Sequence, residues 1–389
     1  MQLNEGTDSL AVEFISSLDA IDPQDWDAVT GQDYPFLRHQ FLYGLEQTGC
    51  TTAQSGWQPC HALLRQGGSL VAVMPMYLKS HSYGEYVFDW SWADAWQRSG
   101  LEYYPKLVTA IPFTPATGPR ICVAPAMNPH TAHKALVDAI QDFARSKDIS
   151  SWHLLFPPLA LSEELAEIGT LVRTASQFHW FNEDYATFDD FLSTFSSRKR
   201  KSLKRERKRV AEQGISLTTL VGDDIGEANW QLFHHFYQMT YAKRSGHGGY
   251  LSKEFFTNVA AKLGNQVIMV LASLEGSAIA AALYFRSNDT LFGRYWGALD
   301  EFDCLHFEAC YYQGIEFCIA NKIKRFDPGA QGEHKIQRGF RPVRTYSNHW
   351  IANPTLSAAV ADFTRQESTH TDQYITQATK LLPFKTGPE

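Results

Sequence analysis

The chain has 389 residues, 44% of them hydrophobic and 13% aromatic, with a net charge of −7 at pH 7. That length suits two domains of ordinary size, and that much apolar surface excludes wholesale disorder. The charge is uneven: Arg198–Arg209 holds nine Lys or Arg against one Glu, a local +8, so the remainder carries −15.

Ala11–Ile15 is predicted as a strand, followed by polar turns and a short helix near Trp26. Pro35–Gly49 reads as a helix, with Phe36, Leu37, Phe41, Leu42 and Leu45 on one side. His61–Arg65 and Ser69–Lys79 form a hairpin about Gly67-Gly68, and Pro75 suggests an edge or a bulge. Tyr83–Trp90 is predicted as a third strand, ending in Asp89, Trp90 and Trp92. Ala93–Thr117 reads as an insertion with Leu101–Leu107 helical, then Pro119–Val123 as a strand. Thr131–Arg145 is an amphipathic helix and Trp152–Phe156 another strand.

Asp189–Phe195 starts a helix, and the cationic run continues as one to Gln213, stopping at Gly214 with Leu203 and Val210 as a thin apolar stripe. Trp230–Tyr241 is helical and leads into the glycine-rich loop Lys243–Tyr250. Gln266–Ser273 and Ala278–Phe285 form a hairpin about Glu275-Gly276. The aromatic strand Leu291–Gly297, a helix from His306 to Asn321 and a short strand Arg325–Asp327 follow. Thr345–Ile351 is the last strand. Hairpin, strand, helix, strand thus occurs twice, which predicts an α/β chain built from two copies of one unit. The hairpins are offset by about 209 residues and the helices by about 173, and an insertion after Trp90 accounts for the difference. The expected domains are 1–185, 186–352 with the basic helix at 196–213, and a C-terminal helical extension at 353–389.

Past Asp327, Gly329 and Gly332 bracket a loop with Gln331, Glu333, His334, Lys335 and Arg338. Ionisable groups just beyond the carboxyl end of a buried strand mark the usual site of an α/β sheet. The plain alternatives are a solvated loop, with Asp327 accepting backbone N–H bonds, and Arg294 paired with Glu308. No uncharged apolar run is long enough to span a bilayer, MQLNEGTDSL lacks the marks of a signal peptide, and six cysteines without CxxC pairs suit a reducing compartment. A cytoplasmic location is the expectation.

The basic helix ending in Gly214-Ile215, then a hairpin, an aromatic strand and a final helix, resembles the order in the FemABX aminoacyl and acyl transferases. The closing run Arg325–Phe340, RFDPGAQGEHKIQRGF, is similar to that group's Asp-x-Gly-Gly … Phe-Lys-x-Gly-Phe ending. Tyr86-Val-Phe-Asp-Trp90, FTPATGPR, SSRKRK, GRYWG, LHFEACYYQGIEF, PGAQGEHK and YSNHWI resemble the bacterial FemAB-like predicted N-acyltransferases, over roughly residues 10–385. The resemblance implies two acetyltransferase-type (GNAT) folds in tandem, with mixed sheets flanked by helices and the active cleft between or beside them. It also implies transfer of an acyl or aminoacyl group to an amine, in some relatives that of a cell-wall peptide precursor. The relatives' Lys in Phe-Lys-x-Gly-Phe falls at Gln337, which moves its task to Lys335 or Arg338. No Gln/Arg-x-x-Gly-x-Gly/Ala stands at a helix start, so acetyl-coenzyme A is not favoured as donor.

Acyl transfer to an amine needs a neutral nucleophile, a polarised carbonyl and a route for the released proton. Asp327, Glu333 and His334 are the candidates for accepting that proton, and Lys335 and Arg338 for steadying the oxyanion. Arg294, Tyr295 and Trp296, with His306, Glu308, Tyr311 and Gln331, are candidates for holding substrate. Asp89 and Trp90 stand at the corresponding strand end of the first half. Arg198, Lys199, Arg200, Lys201, Lys204 and Arg205 would face a polyanion: an aminoacyl-tRNA, an acidic acyl-carrier protein or an acyl-coenzyme A phosphate. The acyl donor is then a co-substrate, and no tightly bound cofactor is expected. Cys304, His306 and Cys310 lack a fourth ligand at metal spacing, so no metal is expected either. A non-catalytic RNA- or tRNA-binding protein on the same fold is the competing function.

Overall fold

Two positive-φ turns organise the protein. Gly67 and Gly68 (φ 56° and 85°) join strand His61–Gln66 to Ser69–Met74, and Glu275 and Gly276 (φ 51° and 77°) join Val267–Leu274 to Ser277–Arg286. Paired positive φ values match the twist of adjacent strands, so both hairpins form where the sequence signals them. The computed structural model describes residues 9–330 and 332–385. Gln331 therefore lies outside the described residues.

The chain forms two compact units, one of residues up to Ala175 with Arg344–Asp372, the other of Ser176–Val343 with the residues from Gln373 onward. This corrects the expected boundaries of 185/186 and 352/353. Hydrogen bonding gives the reason: Ser347–Ile351 pairs with Ser151–Leu155 of the first unit, while Phe384 bridges to Phe195 of the second. The long helix Pro354–Lys380 is thus divided between the units and is no separate extension.

In the first unit, Leu10–Ile15, His61–Gln66, Ser69–Met74 and Cys122–Val123 make an antiparallel sheet. Alongside, Arg341–Ile351, Ser151–Leu155, Lys106–Thr109, Tyr77–Lys79 and Trp57–Pro59 pair in that order. Lys106–Thr109 and Ser151–Leu155 run parallel, joined through the helix Pro129–Ser146. That helix buries Leu136, Val137, Ile140 and Ala144 against Leu64, Met74, Trp152 and Leu154.

The expected strand Tyr83–Trp90 does not form, nor does a helix over Leu101–Leu107. A helix Trp90–Arg98 stands there instead, burying Trp92 and Trp96, and the strand of the repeated unit is Lys106–Thr109. The insertion therefore precedes this strand. Lys106 is fully buried, which no charge-based reading of the sequence anticipates.

In the second unit the strand order is Ile215–Val221, Val267–Leu274, Ser277–Arg286, Thr290–Ala298, Arg325–Asp327 and Leu171–Phe181. One pair is parallel: Thr290, Leu291 and Phe292 face Arg325, Phe326 and Asp327. Pro328, lacking an N–H, ends that pairing, and Gly293–Ala298 continues without its parallel neighbour. The helix Glu227–Ser245 lies across the strand at Gly297, where a Cβ would come within 2.3 Å of the Phe236 backbone. The basic helix spans Ser197–Glu212 and buries Leu203 and Val210, as the stripe predicts.

Candidate functional site

The site is built where the parallel pair in the second unit stops. Asp327, the last residue of its strand, is 1% exposed. Its Oδ1 accepts the Gly329 N–H at 2.9 Å, closing the turn that Pro328 begins, and lies 3.6 Å from His179 Nε2. His179 is buried, and that burial holds its pKa down to about 4, so it is a neutral imidazole against a carboxylate.

Beyond the turn, Gly332 at φ 102° and Gly339 at φ 86° bracket a single 3-10 helix, Glu333–Arg338. The residues expected as a loop are thus a rigid turn of helix. Lys335 points inward at 2% exposure and donates to the carbonyls of Gly329 (2.6 Å) and Ala330 (3.4 Å). Burial lowers its pKa to about 8, with Arg294 adding repulsion and Asp327 opposing both.

Arg338 is also buried, with its donors already engaged: Nη2 to Glu206 Oε2 at 2.8 Å, Nε to the Tyr312 hydroxyl at 3.1 Å and Nη1 to the His334 carbonyl at 2.8 Å. Its guanidinium lies 3.4 Å above the Phe307 ring. Those contacts make it a residue that fixes the turn. Glu333 is exposed and accepts the Tyr374 hydroxyl at 2.8 Å.

His334 is exposed, and its Nε2 meets the Tyr311 hydroxyl at 2.9 Å. Partial desolvation, then Arg338 and Lys335, lower its pKa to about 4. The His306 ring stands 6.3 Å from that of His334 and 5.5 Å from that of Trp296. Burial, followed by the charge of Arg244, takes His306 to about 3. Both imidazoles are therefore unprotonated at neutral pH.

Tyr311 belongs to the helix running from Leu305 to Ala320, whose middle segment, Glu308–Tyr312, is a wide π turn. Such turns displace side chains from the regular helical spiral and are frequent at functional sites. Arg294 stands half-buried with its guanidinium 5.7 Å from the Tyr295 ring, and Tyr295 is buried. The alternative pairing of Arg294 with Glu308 is not formed, because Arg207 of the basic helix takes Glu308 and Glu316 together, each at 2.8 Å.

Of the six cations expected to meet a polyanion, Lys204 pairs with Asp189 at 2.8 Å and Lys199 is hydrogen-bonded to Gln337. Arg198, Arg200, Lys201 and Arg205 carry no ion pair among the described residues. Asp89 and Trp90 lie in the first unit. Asp89 sits at the N-cap position of its helix, yet its carboxylate turns inward to Lys106 and the Tyr103 hydroxyl, so it is no surface ligand.

Four contributors escaped the sequence reading: His179, Glu206, Tyr312 and Arg244. His179 lies in a strand buried on both faces between Phe178 and Trp180, which hides any alternation. Glu206 carried a legible signal as the one acid in the cationic run. Among the described residues no group of three or more His, Cys, Asp or Glu is placed to hold a metal ion, and no helix is long and apolar enough to cross a membrane.

Comparison with solved structures shows the fold. FemX superposes with a TM-score of 0.53 at 12% identity, over 88% of this chain and 98% of its own. The C-terminal domain of a putative lysylphosphatidylglycerol synthetase from Agrobacterium fabrum gives 0.52 at 10% identity, over 88% and 95%. A tandem GNAT protein from the clavulanic acid biosynthesis pathway gives 0.45 at 11% identity, over 89% and 99%. The expected α/β class, with mixed sheets flanked by helices, is borne out by the strand pairing and by the likeness to FemX. No curated protein matches the sequence. The FemAB-like family, described by its role in peptidoglycan biosynthesis/recognition, matches residues 17–386. With nearly its whole length so matched, the chain belongs to the FemAB-like family.

Proposed function

We propose that this chain is an N-acyl- or aminoacyltransferase whose reaction centre is the Asp327–Arg338 turn, acting on an amine of a peptidoglycan precursor. One observation carries the reading: Lys335 holds a buried ammonium at the end of the interrupted parallel pair, with the unprotonated imidazole of His334 on the same turn. Acyl transfer uses both. The amine attacks the donor carbonyl, the carbonyl oxygen gains negative charge, and Lys335 stabilises it in a site of low dielectric. His334, its Nε2 oriented by Tyr311, takes the proton released by the amine through Nδ1 and returns it to the leaving group. Asp327 positions Lys335 and the Gly329 turn, and Arg338 positions the helix.

The donor is an activated acyl group on an anionic carrier, an aminoacyl-tRNA before an acyl-carrier protein or acyl-coenzyme A. Arg198, Lys201 and Arg205, exposed on one face and without an ion pair among the described residues, favour that order, because a row of exposed cations suits a phosphate backbone. No tightly bound cofactor takes part.

The test is a transfer assay with labelled aminoacyl-tRNA, acyl-carrier thioester and acyl-coenzyme A against an amine-bearing precursor. Lys335→Met and His334→Gln should each reduce turnover by about 10²-fold while the fold survives. Nucleic-acid binding that needs only the basic helix, with no transfer from any donor, would instead identify a non-catalytic RNA-binding protein.

A further inference from the structure

The first unit holds a buried charged network that the proposed chemistry does not use. Lys106 Nζ donates to Glu85 Oε2 at 2.8 Å, to Ser82 Oγ at 2.8 Å and to Asp89. The Tyr103 hydroxyl donates to Asp89 Oδ2 at 2.6 Å and lies 3.3 Å from His153 Nε2. His153 Nδ1 in turn meets His349 Nδ1 at 2.6 Å. Each of these charged and imidazole groups is at most 3% exposed. An apolar cluster of the same volume would be at least as stable, so the network needs another reason to exist.

What it fixes is the wall of a groove. Tyr103 and Tyr104 line a depression of about 550 Å³ on this unit, together with Trp90, Asp94, Gln97, Leu101 and Glu102. Tyr103 is anchored from behind through Asp89, and Tyr104 through its hydroxyl bond of 2.8 Å to Ser82, the serine that also receives Lys106. Trp90 also lines it, 44% exposed, its ring 5.3 Å from that of Tyr83. Among the described residues no cation lines the groove. Asp94 is shared with Arg98 at 2.9 Å, whereas Glu102 is exposed and carries no ion pair among the described residues.

Lys106 Nζ stands 5.1 Å and 5.8 Å from the Tyr103 and Tyr104 rings, which leaves the exposed Trp90 ring as the main cation–π surface of the groove. That ring and the exposed Glu102 carboxylate are complementary to an alkylammonium, through cation–π attraction and a charged hydrogen bond. We infer that this groove binds the primary ammonium end of an amine-bearing ligand, with Trp90 and Tyr104 flanking the stem and Glu102 meeting the charge. The groove belongs to the first unit and the proposed reaction centre to the second, so this binding site goes beyond the acyltransferase reading and does not depend on it.

Calorimetry of the full chain with 1,5-diaminopentane, and with pentane-1,5-diol as its uncharged counterpart, tests the groove without any acyl donor. The diamine should bind saturably and the diol should not. Trp90→Ala should weaken diamine binding about three- to ten-fold. Glu102→Gln should weaken it by at least three-fold, and both variants change surface positions that leave the thermal midpoint in place. Equal binding of diamine and diol, unchanged affinity in both variants, or no saturation at tens of millimolar would overturn the assignment. Diamine binding that persists when every donor fails in the transfer assay would leave this site standing and sink the enzymatic reading alone.

Discussion

Glu206, the one acid in the cationic run Arg198–Arg209, accepts Arg338 Nη2 at 2.8 Å and is also hydrogen-bonded by the Tyr312 hydroxyl. Its neighbour Arg207 forks between Glu308 and Glu316. Two consecutive residues of the basic helix thus attach it to the Glu333–Arg338 turn and to the helix before that turn. Glu206→Gln should lower unfolding free energy by about 1–3 kcal/mol, since it strands most of a buried guanidinium's charge. Urea denaturation measures the loss, and faster amide exchange over Glu333–Arg338 would localise it. An unchanged midpoint would show the pair to be incidental.

Lys335 is held near pKa 8 against an ordinary value of 10.5. Between those values the unfolded chain binds a proton that the folded chain has released, so stability rises with pH across the window, by at most about 1.4 kcal/mol per pH unit. Below pH 8 both states are protonated and the gain is absent. Lys335→Met should remove this rise, and denaturation at pH 7.5 and 10 compares the two proteins. A parallel rise in the variant would assign the effect to another group.

Four imidazoles, the buried His153, His179 and His349 and the half-buried His306, have pKa values lowered by desolvation. Here too the unfolded state binds the proton first, so stability falls as pH drops below about 6.5. Glu85 works the other way: burial raises it to about 7, and the folded state gains stability as pH falls from there toward 4.5. Glu85→Gln should therefore steepen the acid loss, which thermal melts from pH 7.5 to 5 would reveal. A shallower loss would contradict the direction assigned to Glu85.

Neutralising Arg198, Arg200, Lys201 and Arg205 together to Gln should leave the fold intact, because none of them is ion-paired among the described residues. For single-stranded RNA, each phosphate contact contributes a salt slope of about 0.7. Loss of four should flatten the plot of log affinity against log salt by about 3. An unchanged slope, measured by filter binding, would remove nucleic acid from the list of donors' carriers.

Gly297→Ala places a methyl group 2.3 Å from the Phe236 carbonyl carbon. Backbone atoms cannot yield as a side-chain tip does, so the helix must move off the strand, at a cost of about 1–3 kcal/mol. A thermal melt checks this, and a neutral result would mean that the helix Glu227–Ser245 is loosely seated.

Most of the second unit was legible in the sequence, because its elements carry local signals. Glu275-Gly276 names its own turn, Leu203 and Val210 mark the inner side of the basic helix, and Pro328 ends a strand by chemistry alone. The centre of the first unit was not. Lys106 is a charged residue in a fully buried strand, paired with Glu85 and Asp89 that lie distant in sequence, and no local pattern announces such pairing. Aromatic alternation from Tyr83 to Trp90 mimicked a strand, whereas the spacing of Trp92 and Trp96 belonged to a helix. In the candidate site, Asp327 and Lys335 were read from their place after a strand. The engagement of Arg338 with Glu206, Tyr312 and His334 was not legible, because sequence shows a charge and hides its partners. The partner of Glu308 was likewise sought in Arg294, on the adjacent strand, when it came from Arg207.

A helix keyed at Glu206 on one flank and at Arg207 on the other can neither roll nor slide without unlocking both. Displacing it means breaking charged hydrogen bonds to the Glu333–Arg338 turn and to the wide turn at Glu308–Tyr312 at the same time. Under the proposed function, a polyanion on its outer side would therefore bear on the same helix that secures the turn carrying Lys335.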